Sequence, residues 1–215
     1  MAKKVSKSLS AAVSAEIKSK FDLNKFKSSK GLNKNVKFKD QQWIPLSPAF
    51  QKVAGVPGIP MGHISLLRGH SDTGKTTALL EAAVSAQNMG ILPVFIITEM
   101  KWNWEHAAQM GLEVNLIKDD EGDVIDYEGN FIYVDRETLH TIEDVAAFIM
   151  DLQNEQKKGN LPYDLAFFWD SIGSIPCAMS VEKLKNNNEW NAGAMSTQFG
   201  NTVNQSIVMS RKESS

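Results

Sequence analysis

The sequence predicts an α/β fold in which a mainly parallel sheet is flanked by helices and preceded by a short N-terminal helical arm. Three observations predict it. From Trp43 onward, short apolar runs alternate with segments of helical periodicity, the pattern of strands joined by helical crossovers. A glycine-punctuated turn, Gly69 to Thr77, joins one apolar run directly to one helical segment. Charge is also unevenly placed: residues 1–40 hold eleven lysines against Glu16, Asp22 and Asp40, a balance of +8, and with −2 for the whole chain the remainder carries −10. That asymmetry divides the chain into a basic arm with its linker, residues 1–40, and a main domain, residues 41–215.

The elements follow in order. Residues 8–21 read as a short amphipathic helix, with Leu9, Val13, Ile17 and Phe21 spaced by four on one face. A helix this short needs a surface to pack against. Residues 25–40, rich in Lys, Ser and Asn, read as a flexible connector. An arm of opposite sign to the body is expected to meet an acidic face of another copy or a polyanion such as DNA, with a solubilising tail as the alternative. In the main domain, strands are expected at 64–67, 92–97, 131–134 and 165–169, and helices at 76–89, 104–110 and 141–156. Between them, the acidic, glycine-punctuated stretch 119–130 (DDEGDVIDYEGN) reads as a surface hairpin; a divalent-ion loop is the alternative, but its Asp, Gly and Glu spacing misses the EF-hand template.

Composition excludes several classes. With 215 residues, 42% hydrophobic and 22% charged, the chain can bury one sizeable core and matches ordinary soluble domains. No apolar run approaches the roughly 20 residues that span a bilayer, and the Lys/Ser-rich N-terminus lacks the apolar centre of a signal peptide, so no membrane association and a cytoplasmic location are expected. The single cysteine, Cys177, excludes an internal disulfide and fits a reducing compartment.

The turn at Gly69-His70-Ser71-Asp72-Thr73-Gly74-Lys75-Thr76-Thr77 fits G-x-x-x-x-G-K-[ST] without a mismatch. A triphosphate must be held by many donors at once with no side chain blocking its approach. The two glycines supply the tight backbone, and the N–H groups opening the following helix face the phosphates. Lys75 is placed to reach the β and γ phosphates, and the Thr76 hydroxyl to ligate Mg²⁺. Two carboxylates complete the pattern at the ends of apolar runs. Glu99 follows 92–97, where a general base facing the γ-phosphate would sit, and Asp170 closes Leu165-Ala166-Phe167-Phe168-Trp169-Asp170, the Walker B pattern whose carboxylate holds the metal. Ionised groups at such positions are costly unless paired.

Gly55-Val56-Pro57-Gly58-Ile59-Pro60-Met61-Gly62, then the loop from Gly69 to Thr77, Glu99, and Asp170-Ser171, in that order, resemble the ATPase core of the RecA recombinase family. The intervals from Gly69 to Glu99 and from Glu99 to Gly111 match that family's. Residues 15–23, leading through the Lys-rich linker into 43–46, are more similar to the phage UvsX-type recombinases. The resemblance implies a RecA-like P-loop core with ATP and Mg²⁺ as cofactors, and a DNA-dependent ATPase with Glu99 and Lys75 as its catalytic groups. It further implies helical filaments on single-stranded DNA that pair with a homologous duplex, with single-strand-binding and mediator proteins as further partners. By position, Gly69, His70, Ser71, Asp72, Thr73, Gly74, Lys75, Thr76 and Thr77 would hold ATP, with Thr76 and Asp170 on the metal. His106 stands where the family usually has a Tyr stacked on adenine, flanked here by Trp102 and Trp104. Residues 180–199 occupy the place of the family's first DNA-binding loop, with Lys183, Lys185, Trp190 and Gly193 as DNA contacts, and Phe21 would anchor the arm on a neighbouring protomer.

The family core continues past the point where this sequence stops, through a strand with a γ-phosphate sensor and a second DNA-binding loop. A C-terminally truncated chain with an incomplete sheet is therefore expected. The alternatives are a replicative helicase of the same fold, disfavoured because those enzymes carry a separate domain instead of a 40-residue basic arm, and a non-catalytic nucleotide-binding regulator or scaffold.

Overall fold

A computed structural model describes residues 22–30, 40–99, 101–178 and 181. The chain divides into two compact units, Met1–Asp40 and Gln41–Ser215. In the first unit, helix α1 (Leu23–Ser29) starts at Asp22, whose carboxylate accepts from the Lys25 N–H at 3.0 Å and satisfies an otherwise orphaned donor. The connector expected over 25–40 is thus helical at its start, since a local cap outweighs a loop-like composition. The helix expected at 8–21 lies outside the described residues.

The second unit opens with an antiparallel pair, β1 (Trp43–Pro45) and β2 (Gly58–Pro60), with Ile44 opposite Ile59. Helix α2 (Pro48–Ala54) fills the connection: Ser47 caps it, and Pro48 sits in the first turn, where a missing N–H costs nothing. Gly58 is required here, because a Cβ at that position would lie 2.0 Å from the Ile44 carbonyl oxygen. This pair seats Ile44 and Leu46 in the same core as helix α3 (Lys75–Asn88). The Glu81 carboxylate of α3 also accepts from the Ser47 N–H.

Three parallel strands form the centre in the order β6 (Ile132–Asp135), β3 (Leu92–Ile97), β7 (Leu165–Asp170). All six residues of β3 are buried, as expected of an apolar run with a neighbour on each side and a helix on each face. Its side chains alternate between two cores. Phe95 and Ile97 pack with Leu80, Ala83 and Ala86 of α3, whereas Ile96 packs with Ile142, Val145 and Ile149 of α5 (Ile142–Lys157). Burying each large side chain of this kind stabilises the fold by about 1.5–3 kcal/mol. A reciprocal cap starts α5: the Thr141 hydroxyl accepts from the Asp144 N–H at 3.2 Å, and the Asp144 carboxylate accepts from the Thr141 and His140 N–H groups at 2.8 and 3.0 Å. Burial pushes the Asp144 carboxyl up, but the Thr141 hydroxyl and the two N–H groups together hold it below its ordinary value.

Between β3 and β6 the chain makes helix α4 (Trp104–Gln109) and an antiparallel hairpin of β4 (Val114–Lys118) and β5 (Val124–Gly129). The hairpin expected at 119–130 is present, but its first strand begins earlier, in 114–118, and 119–123 forms the turn. There the Asp119 carboxylate accepts from the Glu121 and Asp123 N–H groups at 3.1 and 2.8 Å. Tyr127 of β5 lies against Trp104 at 4.2 Å between ring centres, Trp104 stacks on Phe131 at 5.1 Å, and Trp102 packs on Phe95 at 5.1 Å. Burial, then the Asp135 carboxylate, pushes the Tyr133 hydroxyl in this cluster up to about 12, and the same two causes raise Tyr127.

The strands and helices expected from 92 to 169 are otherwise found with ends shifted by no more than one residue. Two expectations are corrected. Residues 64–67 form no strand, and Leu66 is 72% exposed. An apolar run becomes a strand only where another supplies its ladder, and among the described residues none lies beside this one. The fold is also mixed rather than mainly parallel, because two separate antiparallel pairs accompany the three parallel strands. No described helix is long and apolar enough to cross a membrane.

Candidate functional site

The parallel register places Ile97 beside Asp170, so the carboxyl ends of β3 and β7 deliver Glu99 and Asp170 to the same edge of the sheet. The backbone fastens these ends together: the Thr98 and Glu99 N–H groups both donate to the Asp170 carbonyl, at 2.9 and 3.2 Å. Such an edge, outside the carboxyl ends of parallel strands, is where open α/β sheets bind ligands.

Helix α3 begins beside it. Gly74 precedes its first residue at φ +84°, a left-handed conformation that glycine adopts without strain, and no side chain caps the helix. The N–H groups of the first turn and the positive end of the helix dipole are therefore open to an anion. A cavity of about 300 Å³ lies there, lined by Asp72, Gly74, Lys75, Thr76 and Thr77. The Lys75 ammonium folds back onto the His70 carbonyl at 2.7 Å, and the Thr73 hydroxyl donates to the same oxygen at 2.8 Å. Main-chain contact with its own loop thus keeps the lysine at the rim of the cavity.

One side-chain pair connects the loop helix to the sheet edge, and a second lies within that edge. The Thr76 hydroxyl donates to the Asp170 carboxylate at 2.6 Å, across 94 residues of sequence. Next to it, the Ser171 hydroxyl donates to the Glu99 carboxylate at 2.5 Å. A cavity, an ammonium, a hydroxyl–carboxylate pair and a second oriented carboxylate thus converge from three separate parts of the sequence.

The structure brings together the expected residues from Gly69 to Thr77 with Glu99 and Asp170. His106 lies apart from this group, exposed on α4 with its N–H donating to the Asn103 side chain at 2.8 Å. The rings of Trp102 and Trp104 beside it are packed against the core. Phe21, Lys183, Lys185, Trp190 and Gly193 fall outside the described residues. Two participants had no role in the sequence reading. Ser171 orients Glu99, and Thr98 lies beneath both; the only signal either leaves is a hydroxyl residue directly following an apolar strand.

An oxygen-only donor pair of one hydroxyl and one carboxylate suits a hard divalent cation that takes its remaining ligands from phosphate and water. Thr76 and Asp170 fit Mg²⁺ on that chemistry.

No family model matches the chain. It is similar to RecA proteins: 32% identical over 71 residues to that of Arthrobacter sp. (strain FB24), covering 33% of this chain and 20% of that protein. To the RecA protein of Tropheryma whipplei (strain Twist) it is 29% identical over 119 residues, 54% of this chain and 27% of the relative. To that of Frankia alni it is 33% identical over 75 residues, 34% and 22% respectively. These matches span 20 to 27% of the relatives' length and establish a distant homology to RecA proteins.

Proposed function

From distant homology to RecA proteins as premise, we propose that this chain contains the ATP-binding core of a DNA strand-exchange recombinase, with a P-loop at Gly69 to Thr77. The observation that carries the reading is the Thr76–Asp170 contact at 2.6 Å beside an uncapped helix N-terminus and Lys75. Chance glycine-rich turns do not bring a distant strand-end carboxylate onto the hydroxyl that follows their lysine.

In this proposal the triphosphate enters the cavity of Asp72, Gly74, Lys75, Thr76 and Thr77, and the N–H groups of the first turn of α3 donate to its oxygens. Lys75 leaves the His70 carbonyl and moves onto the β and γ phosphates. Thr76 and Asp170 hold Mg²⁺, which neutralises phosphate charge when bound. Glu99, oriented by the Ser171 hydroxyl, holds the attacking water and takes its proton. DNA binding through Lys183, Lys185, Trp190 and Gly193, filament contacts through Phe21, adenine contact by His106, the division of the chain at residue 40, kinship with UvsX-type recombinases and a cytoplasmic location belong to the same proposal.

The test is equilibrium binding of a fluorescent ATP analogue with and without Mg²⁺, followed by binding to a fluorescent single-stranded oligonucleotide over a range of salt. Nucleotide binding that Lys75→Ala weakens at least tenfold, and oligonucleotide binding that needs ATP and weakens with salt, are the expected results. Unchanged nucleotide affinity in Lys75→Ala refutes the phosphate-loop assignment. Nucleotide binding without oligonucleotide binding refutes the recombinase part for this chain and leaves a nucleotide-binding module.

A further inference from the structure

Thr98 is the one buried polar side chain among the described residues, with no measurable exposure. It directly follows the fully apolar strand β3, where valine or isoleucine would serve packing equally well. Its hydroxyl instead sits at the centre of a hydrogen-bonded group contributed by β7 and the turn that follows it. Oγ1 lies 2.8 Å from the Ser171 carbonyl oxygen, 2.6 Å from the Ser174 hydroxyl and 3.1 Å from the Trp169 indole nitrogen. The Ser174 hydroxyl is also 2.6 Å from the Ser171 carbonyl.

Proton counting fixes most of the roles. The indole N–H can only donate, so it donates to Thr98; the Ser171 carbonyl can only accept. A threonine hydroxyl has one proton and two lone pairs. Donating to Ser171 while accepting from Trp169 and Ser174 uses all three. Valine has the same shape and none of these capacities, and would remove the acceptor of this indole N–H contact and one donor to the Ser171 carbonyl.

The placement of this group gives it meaning. Thr98 directly precedes Glu99, and Trp169 and Ser171 bracket Asp170. The Thr98 side chain therefore ties the two strand ends together immediately below the Glu99–Ser171 and Asp170–Thr76 pairs. We infer that Thr98 is a positioning residue. Its hydroxyl, held by Trp169 and Ser174, fixes the carbonyl of Ser171 and thereby the spacing between the carboxylate that faces water and the carboxylate that faces the metal. The inference rests on the nucleotide reading above, but the geometric part of it does not.

Three proteins test it: the parent, Thr98→Val and Thr98→Ser, each as the full chain. Hydrogen exchange read by mass spectrometry reports the geometry without nucleotide. Thr98→Val is expected to speed exchange of the Glu99 and Ser174 N–H groups, which donate to Asp170 and Ser171, at least tenfold, with β3 before Thr98 unchanged and Thr98→Ser near the parent. Binding of a fluorescent ATP analogue then reports function. Metal-free affinity is expected to stay within about twofold, while the gain on adding Mg²⁺ falls about 10–100-fold in Thr98→Val, as for other residues that orient metal ligands, and Thr98→Ser recovers it. Exchange in Thr98→Val equal to the parent overturns the inference. So does altered exchange with an unchanged Mg²⁺ gain, which makes Thr98 structural only. A parent that binds no nucleotide refutes the function proposed above, and the exchange experiment still decides the role of Thr98 in the clamp. If Thr98→Val does not fold, Ser174→Ala removes one arm of the same group, and a parental exchange pattern in it overturns the inference equally.

Discussion

The contact between Thr76 and Asp170 makes a quantitative prediction that needs no ligand. Its 2.6 Å separation and its ionised acceptor place it among charge-assisted hydrogen bonds, which contribute about 1.5–3 kcal/mol. Both residues are half-buried, so competition from water favours the lower end, about 1.5 kcal/mol. Thr76→Val, Asp170→Ala and the double variant form a thermodynamic cycle read by urea unfolding at pH 7. If the slope is about 2 kcal/mol per molar, a value within the usual range, the double variant should have a midpoint about 0.7 M higher than the sum of the single losses implies. Each single change removes the same bond, and the second finds nothing left to remove. Additive losses, within about 0.5 kcal/mol, refute the reasoning, because side chains that do not touch are additive. The site would then lose the feature that links its loop helix to its sheet.

Four further predictions follow from the fold. Thr141→Ala should destabilise the chain by about 1 kcal/mol through loss of the reciprocal cap on α5, measured by the urea midpoint. The folded Asp144 carboxyl lies below its ordinary value, so its contribution is present above the unfolded pKa and disappears as pH falls through the folded one; Asp144→Asn should flatten that acid limb of the stability curve. Gly58→Ala should cost at least about 2 kcal/mol, since its new methyl meets the Ile44 carbonyl and the backbone of Pro45 and not a flexible side chain; a melting temperature unchanged from the parent would contradict the observed register of β1 and β2. Tyr133, held un-ionised up to about 12, makes the folded state retain a proton that the unfolded state gives up near 10, so stability should fall as pH rises above 10, and less steeply in Tyr133→Phe.

Much of the second unit is legible in the sequence because its elements follow from local chemistry. Leu92–Ile97 is too apolar for anything but a strand covered on both faces, and Ile142–Lys157 combines a Thr-x-x-Asp start with a one-sided apolar stripe. The residues at 64–67 are also mostly apolar and form no strand, because strand formation depends on a partner that the run itself does not encode. Helix α1 is the reverse case: a lysine- and serine-rich composition hides the Asp22 cap that starts it. At the candidate site, Lys75, Thr76, Glu99 and Asp170 are legible because a spacing rule links residue type to chemistry. Ser171 and Thr98 are not, since a hydroxyl at a strand end gains its role from a partner 71 or more residues away, and no local pattern records that partner.

The anchoring of the β4–β5 hairpin separates what can be altered there from what cannot. Tyr127 is stacked on Trp104, and Trp104 on Phe131, so the base of the hairpin is fixed to the core of the sheet, whereas the turn at 119–123 is exposed and held by its own Asp119. A short peptide tag or a fluorophore attached at Glu121 would therefore sit on a stalk of known direction without disturbing a buried contact. The hairpin is a natural handle: a place to immobilise or label the protein while the sheet edge that carries Glu99 and Asp170 remains untouched.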